Sequence, residues 1–245
     1  MKRVQNGTVN EGRRAMYMGD MAASGSIYAS APTELAGTAA ISIRQLYVKR
    51  AIDVIVSLLV IPVFLLPGLI IAAAILLTSP GGIFYRERRI GRNGLAFRIW
   101  KFRSMQSDAE QRSAPALAPP EGHGLHWRMR KHVSDPRITA LGSFLRAWSL
   151  DEVPQFLNVL CGEMSLIGPR PIVAEELPLY GDLLHYYLCV KPGLSGLWQV
   201  SGRSNLDYAR RAELDAAYVK TWSLFSDVCI LLRTIPAVLR RDGSC

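Results

Sequence analysis

Asp151 and Glu152 stand side by side in the run Ser149-Leu150-Asp151-Glu152. Adjacent carboxylates can act as a nucleophile, a proton carrier or the ligands of a hard cation. The same run has the spacing of a capping box, in which acids in a first helical turn stabilise the helix dipole. Alone, the pair reads as a cap. Its company changes the reading, because Lys101, Arg103, Arg137, Arg146, Arg170 and Arg203 surround it in the chain, several beside Pro or Gly. A guanidinium held rigidly there suits bidentate phosphate binding. A carboxylate next to bound phosphate can attack phosphorus and form an acyl phosphate, dividing one hard displacement into two easier ones. Mg2+ is the cofactor such a site calls for, since one or two carboxylates plus substrate phosphates hold it.

The elements that must position these groups are legible from periodicity. Leu141, Phe144, Leu145 and Trp148 recur at helical spacing, which predicts a helix with one buried face. A second helix is expected to open at the Ser149 box, with Pro154 in its first turn, and to run through Phe156, Leu157 and Leu160. Ile83–Arg88 and Leu95–Arg103 flank Arg92-Asn93-Gly94 and predict a β-hairpin with a two-residue Asn-Gly turn. Its second strand alternates Phe97, Ile99, Lys101 and Arg103 against Arg98, Trp100 and Phe102. Two stiff stretches, Ile167–Pro171 and Lys191–Arg203, combine prolines that fix the backbone with glycines that admit a ligand closely. Leu206–Lys220 reads as a charged helix. Leu224–Leu239 reads as an apolar helix lying in a membrane interface, being too short and charged to span.

Val54–Leu77 is an uncharged run, long enough at ~1.5 Å per residue to cross a hydrocarbon core of ~30 Å. Lys49 and Arg50 precede it, and Arg86, Arg88, Arg89 and Arg92 follow, so the positive-inside bias marks both ends as cytosolic. Pro62 and the pair Pro67-Gly68 lie near its middle, where they bend a helix. A re-entrant hairpin is therefore expected over residues 48–80, with a kinked span as the alternative. Residues 1–40 read as a disordered tail, and 81–245 as the cytosolic catalytic domain.

The net charge of +9 requires an acidic partner, which could be nucleic acid, lipid headgroups or a phosphate-rich substrate. Cys161, Cys189, Cys229 and Cys245 lack metal or disulfide spacing and read as reduced thiols. His123, His126 and His132 fit no standard metal spacing and read as solvated loop residues within Gln106–Val133.

Five blocks occur in one order: Lys49-Arg50-Ala51-Ile52-Asp53, Trp100–Met105, Ser149–Gln155, Asn158–Pro171 and Lys191–Gly196. In them the chain resembles the bacterial sugar transferases, the monotopic polyprenyl-phosphate phosphoglycosyl transferases, over about Val48 to Arg240. The resemblance implies a mostly α fold with a small β-hairpin, an N-terminal re-entrant membrane hairpin, and a cytosolic catalytic domain with interfacial amphipathic helices. It implies a bacterial inner-membrane enzyme that moves a sugar 1-phosphate from a UDP-sugar to undecaprenyl phosphate, with Asp151 as covalent nucleophile. Glu152 would be its metal or proton partner. Lys101, Arg103, Arg137, Arg146 and Arg170 would hold donor phosphates, Gln199 and Arg203 the nucleotide or sugar, and Asp215 would support the metal or a basic residue, with a solvated helix acid as the alternative. Small members of this kind initiate exopolysaccharide repeat units, with galactose or glucose as the first sugar. The partners implied are the UDP-sugar, polyprenyl phosphate and membrane lipids, and not nucleic acid; self-association as a homodimer stays open. Some members carry Ser-Pro at the bend where this chain has Leu66-Pro67-Gly68. Rival readings are a glycosyltransferase that moves the sugar without its phosphate, and a noncatalytic membrane scaffold.

Overall fold

The computed structural model describes residues 43–106, 137–202 and 206–239. The apolar run forms two helices, α1 (Ile43–Val63) and α2 (Leu65–Thr78), whose axes meet at 59°. Proline explains where they break. Pro67 has no N–H to give the Val63 carbonyl and its ring clashes there, so the helix interrupts at Phe64 and restarts at Leu65. No single helix among the described residues is long and apolar enough to cross a membrane; the bent pair together has that length and composition. Gly68, Ile71, Ala72 and Ile75 form one helical stripe of α2 that is at least half-buried, while Leu65, Leu66, Leu69, Ile70, Leu76 and Leu77 point outward.

Strands β1 (Phe84–Ile90) and β2 (Ala96–Phe102) form the expected antiparallel hairpin, pairing Phe84 with Phe102 through to Ile90 with Ala96. The turn differs from expectation. Residues 91–95 connect the strands through a 3-10 turn in which Asn93 and Gly94 both take positive φ. The left-handed preference of Asn-Gly is thus used inside a longer loop and not as a two-residue turn. Asn158 takes the place of a third strand at the outer edge of β2. Its side chain donates to the Arg98 carbonyl at 2.8 Å and accepts from the Trp100 amide at 2.9 Å.

Beyond residue 137 come α3 (Ala140–Ala147), α4 (Gln155–Cys161), β3 (Ser165–Ile167), α5 (Leu177–Tyr180), α6 (Leu184–Cys189), β4 (Gly193–Ser195), α7 (Leu197–Val200), α8 (Tyr208–Lys220) and α9 (Leu224–Leu239). The start of the first Gly-Pro stretch and the residues before it form β3, which pairs in parallel with β4 inside the second stretch. Their glycines permit this approach, since a Cβ on Gly193 would lie 2.1 Å from the Gly168 amide. Phe97, Ile99, Val159, Met164, Tyr218 and Ile230 form the central core between hairpin, α4, α8 and α9. Ile75, Phe102 and Leu145 form another, with Ile71 and Leu150 against it, which fastens α2 to the domain. On α9, Phe225, Val228, Leu232, Ile235 and Leu239 make an exposed apolar stripe.

The expected capping box is not formed. Ser149 sits in the left-handed region (φ 56°) and its side chain caps nothing; Leu150–Glu152 is a 3-10 turn, and α4 starts only after Pro154. Proline cannot donate to a helix and sets the start by its fixed φ. The tail 1–40, the three loop histidines, Cys245 and Arg203 lie outside the described residues.

Candidate active site

The turn carrying Asp151 is held on three sides. Leu150 packs on the cluster that contains Ile71 and Ile75 of α2, so the carboxylate pair follows directly on a contact with the apolar bent helix. Lys101 reaches from β2, and its ammonium donates to Glu152 Oε1 at 2.6 Å. Arg146 reaches from α3, its Nε held by Ser104 Oγ at 2.8 Å. That last contact depends on a close approach, because a Cβ on Gly142 would lie 1.9 Å from the Ser104 carbonyl oxygen. Thr139 caps α3 by accepting from the Gly142 amide at 2.9 Å.

Asp151 is 7% exposed. Burial raises its pKa to about 6; Lys101 and Arg146 pull it down and the neighbouring Glu152 pushes it up. The carboxylate is therefore desolvated, which strengthens it as a nucleophile, yet it is ionised through most of the neutral range. Among the described residues no three acidic, His or Cys side chains gather as a metal site. Two adjacent carboxylates fit a Mg2+ ion that takes its other ligands from substrate phosphates and water.

Of the residues expected at the site, Asp151, Glu152, Lys101 and Arg146 come together. Arg103 faces elsewhere: its guanidinium donates to the carbonyls of Pro80 at 2.8 Å and Ser79 at 2.6 Å, just past the end of α2. A cation there complements the negative end of the helix. Arg137 is half-buried where the described chain resumes, and its carbonyl accepts from the Gln106 amide at 2.9 Å.

Arg170 and Gln199 belong to a second constellation. The guanidiniums of Arg170 and Arg211 lie over Trp198, 5.8 and 4.9 Å from its ring centroid, and Gln199 follows Trp198 on α7. Beneath them is Asp215, 1% exposed, whose Oδ2 accepts from Tyr180 at 2.8 Å. Burial raises Asp215 to about 7, against the opposing pull of the Tyr180 hydrogen bond and Arg170. Burial, and then the neighbouring Arg170, holds the Arg211 guanidinium below its usual range, so an anion between them would be favoured. Sequence reasoning missed Arg211, Tyr180, Tyr208 and Ser104; only the charged helical pattern of 206–220 hinted at Arg211.

The sequence that folds into this arrangement, a carboxylate pair among cations on a small mixed domain fastened to a bent apolar helix, is similar to the bacterial sugar transferases. The family model of that description matches residues 44–241, and the chain belongs to the family. It is 44% identical to the exopolysaccharide production protein ExoY of Sinorhizobium fredii, over 80% of this chain and 87% of that protein. It is 44% identical to the undecaprenyl-phosphate galactose phosphotransferase of Salmonella typhimurium, over 81% of this chain and 42% of that protein. It is 35% identical to the UDP-glucose:undecaprenyl-phosphate glucose-1-phosphate transferase of Escherichia coli, over 76% of this chain and 39% of that protein. The chain thus corresponds to nearly all of the first relative and to less than half of the other two.

Proposed function

We propose that the chain is a phosphoglycosyl transferase that moves a sugar 1-phosphate, galactose or glucose, from a UDP-sugar to undecaprenyl phosphate, as the first step of an exopolysaccharide repeat unit. The observation that carries the reading is the Asp151 turn: a desolvated carboxylate flanked by Lys101 and Arg146 and fastened through Leu150 to α2. A nucleophile so placed can serve a soluble nucleotide and a lipid phosphate from one position.

In the first step an Asp151 carboxylate oxygen attacks the β-phosphorus. The bond from that phosphorus to the bridging oxygen breaks, and UMP departs with the oxygen. In the second step an oxygen of the lipid phosphate attacks the same phosphorus, the aspartyl bond breaks, and polyprenyl-diphosphate-sugar forms. Lys101 and Arg146 offset the charge that gathers on the phosphoryl oxygens. Arg170, with Trp198 and Arg211, offers cations and an aromatic face to the nucleotide half of the donor. Mg2+, when held by Asp151 and Glu152 with the donor phosphates, supplies further charge neutralisation.

The same domain grips both ends of the bent helix, which favours a re-entrant hairpin with the catalytic domain on the cytosolic face of the inner membrane. Lys49 donates to Asp227 at 2.5 Å and to the Ile167 carbonyl at 2.9 Å, and Asp53 accepts from the Leu166 amide at 2.9 Å. Arg103 holds the far end. The stretch of α1 beyond Asp53 is about 15 Å long and α2 about 21 Å, both short of a ~30 Å core.

Incubation with a panel of UDP-sugars, Mg2+ and undecaprenyl phosphate is expected to release UMP with one of them. Release of UDP would instead assign a glycosyltransferase. In a background lacking the native cysteines, single cysteines near Gly37 and at Asn93 are expected to label from the same side of the membrane. Labelling from opposite sides would restore a spanning helix.

A further inference from the structure

The outer face of the hairpin carries a graded ladder that the reaction does not use. Phe84 pairs with Phe102, Arg86 with Trp100, and Arg88 with Arg98. Phe102 is buried against α2, 3.6 Å from where a Cβ on Gly68 would stand. Next along the strands, Phe84 stacks on Phe102 at 5.4 Å and meets Trp100 edge-on at 5.6 Å. The Arg86 guanidinium lies 4.1 Å above the Trp100 ring. Farthest from α2 come Arg88 and Arg98, both exposed and directly opposed across the strands.

Like charges facing each other across a strand pair destabilise it, so this position works against the fold unless an anion covers it. The hairpin's acidic residue, Glu87, alternates to the opposite face and pairs with Arg89. Among the described residues no ion pair neutralises Arg88 or Arg98. The order along the ladder, apolar beside the inserted helix, then aromatic with a cation above it, then cations alone, is the order of hydrocarbon, interface and headgroups in a bilayer.

We infer that the face formed by Phe84, Arg86, Trp100, Arg88 and Arg98 docks on anionic phospholipid headgroups beside the inserted helix. This rests on the membrane placement proposed above. The contact fixes the tilt of β2, and with it Lys101, relative to the surface from which the lipid acceptor arrives.

The test uses the full chain in nanodiscs of acyl-brominated phosphatidylcholine, alone or mixed with brominated phosphatidylglycerol. Tryptophan quenching is read as the difference between the wild-type chain and Trp100→Phe. Trp100 quenching is expected to rise with phosphatidylglycerol. Arg88→Gln/Arg98→Gln should abolish the rise while Arg88→Lys/Arg98→Lys keeps it, with unchanged unfolding midpoints in detergent confirming the fold of both. Quenching indifferent to phosphatidylglycerol, or a rise that persists in the Gln variant, overturns the inference and leaves the membrane reading standing. If undecaprenyl phosphate in phosphatidylcholine discs reproduces the rise, the ladder is an acceptor site and the inference also falls. A chain that elutes apart from the discs overturns both readings.

Discussion

Three aspartates are buried among the described residues, and burial raises all three. Asp53, on α1, is tied to the Leu166 amide, while the other two reach about 6 for Asp151 and about 7 for Asp215. Their surroundings differ. Asp151 sits on a 3-10 turn beside Lys101, Arg146 and Glu152, with an apolar helix next to it and no tyrosine hydroxyl bound to its carboxylate. Asp215 lies mid-helix on α8, donated to by Tyr180 and ringed by Tyr187 and Tyr208, with a single nearby cation. Burial is common to both, so burial alone does not mark a catalytic acid. What separates them is whether cations face the group where a phosphate can approach, or whether hydroxyls close it off. On the proposed reading Asp151 is the acid placed to react, while Asp215 ties Tyr180 to α8.

The largest effect should separate the two directly. Asp151→Asn keeps shape and removes the nucleophile, so UMP release should fall by more than about 10^3-fold with the fold intact. Asp215→Asn keeps an acceptor for Tyr180, and UMP release should stay within about tenfold of wild type by the same reckoning. Equal losses in both variants would erase the distinction. A smaller effect sharpens it: Lys101→Met removes the cation that pairs with Glu152 and offsets Asp151. Turnover should fall by about 10- to 100-fold, roughly what one charged contact to a transition state supplies. A drop no larger than that of Arg103→Met would mean that Lys101 serves only the fold.

Sequence reading anticipated which side chains gather better than the backbone that presents them. Asp151, Glu152, Lys101 and Arg146 were all legible, and they do meet. Helical spacing of Leu141, Phe144, Leu145 and Trp148 placed α3, the Asn93-Gly94 turn signal placed the hairpin, and composition placed α8 and α9. The capping box failed because Pro154 starts the following helix after the acids, a choice between two good helix openings that spacing does not settle. Charge and position do not show direction, and the Arg103 guanidinium, expected among the phosphate ligands, meets the carbonyls of Ser79 and Pro80 just beyond α2. The pairing of β3 with β4 was invisible because parallel strands of three residues have no room for a period. The division of Arg170 from the Asp151 group was equally hidden, since it depends on which way the Gly-Pro stretch turns.

The smallest effect concerns stability, and its sign follows from the direction of both shifts. A carboxyl whose folded pKa is raised binds more protons in the native state than in the unfolded chain, so its contribution declines as pH rises from the unfolded pKa to the folded one. For Asp215 that window runs from near its ordinary 3.8 to about 7, and for Asp151 from 3.8 to about 6. Comparing wild type with each Asn variant by thermal unfolding in detergent, with chelator present, cancels the other titrating groups. The wild-type advantage should shrink by at most about 1.4 kcal/mol per pH unit within each window and level off above it. The Asp151 curve should level off at a lower pH than the Asp215 curve, because Lys101 and Arg146 stabilise its charge where Asp215 has only Arg170 and a hydroxyl. Curves that level off together would mean that the cations around Asp151 do not reach its carboxylate, and the electrostatic contrast between the two acids would be lost.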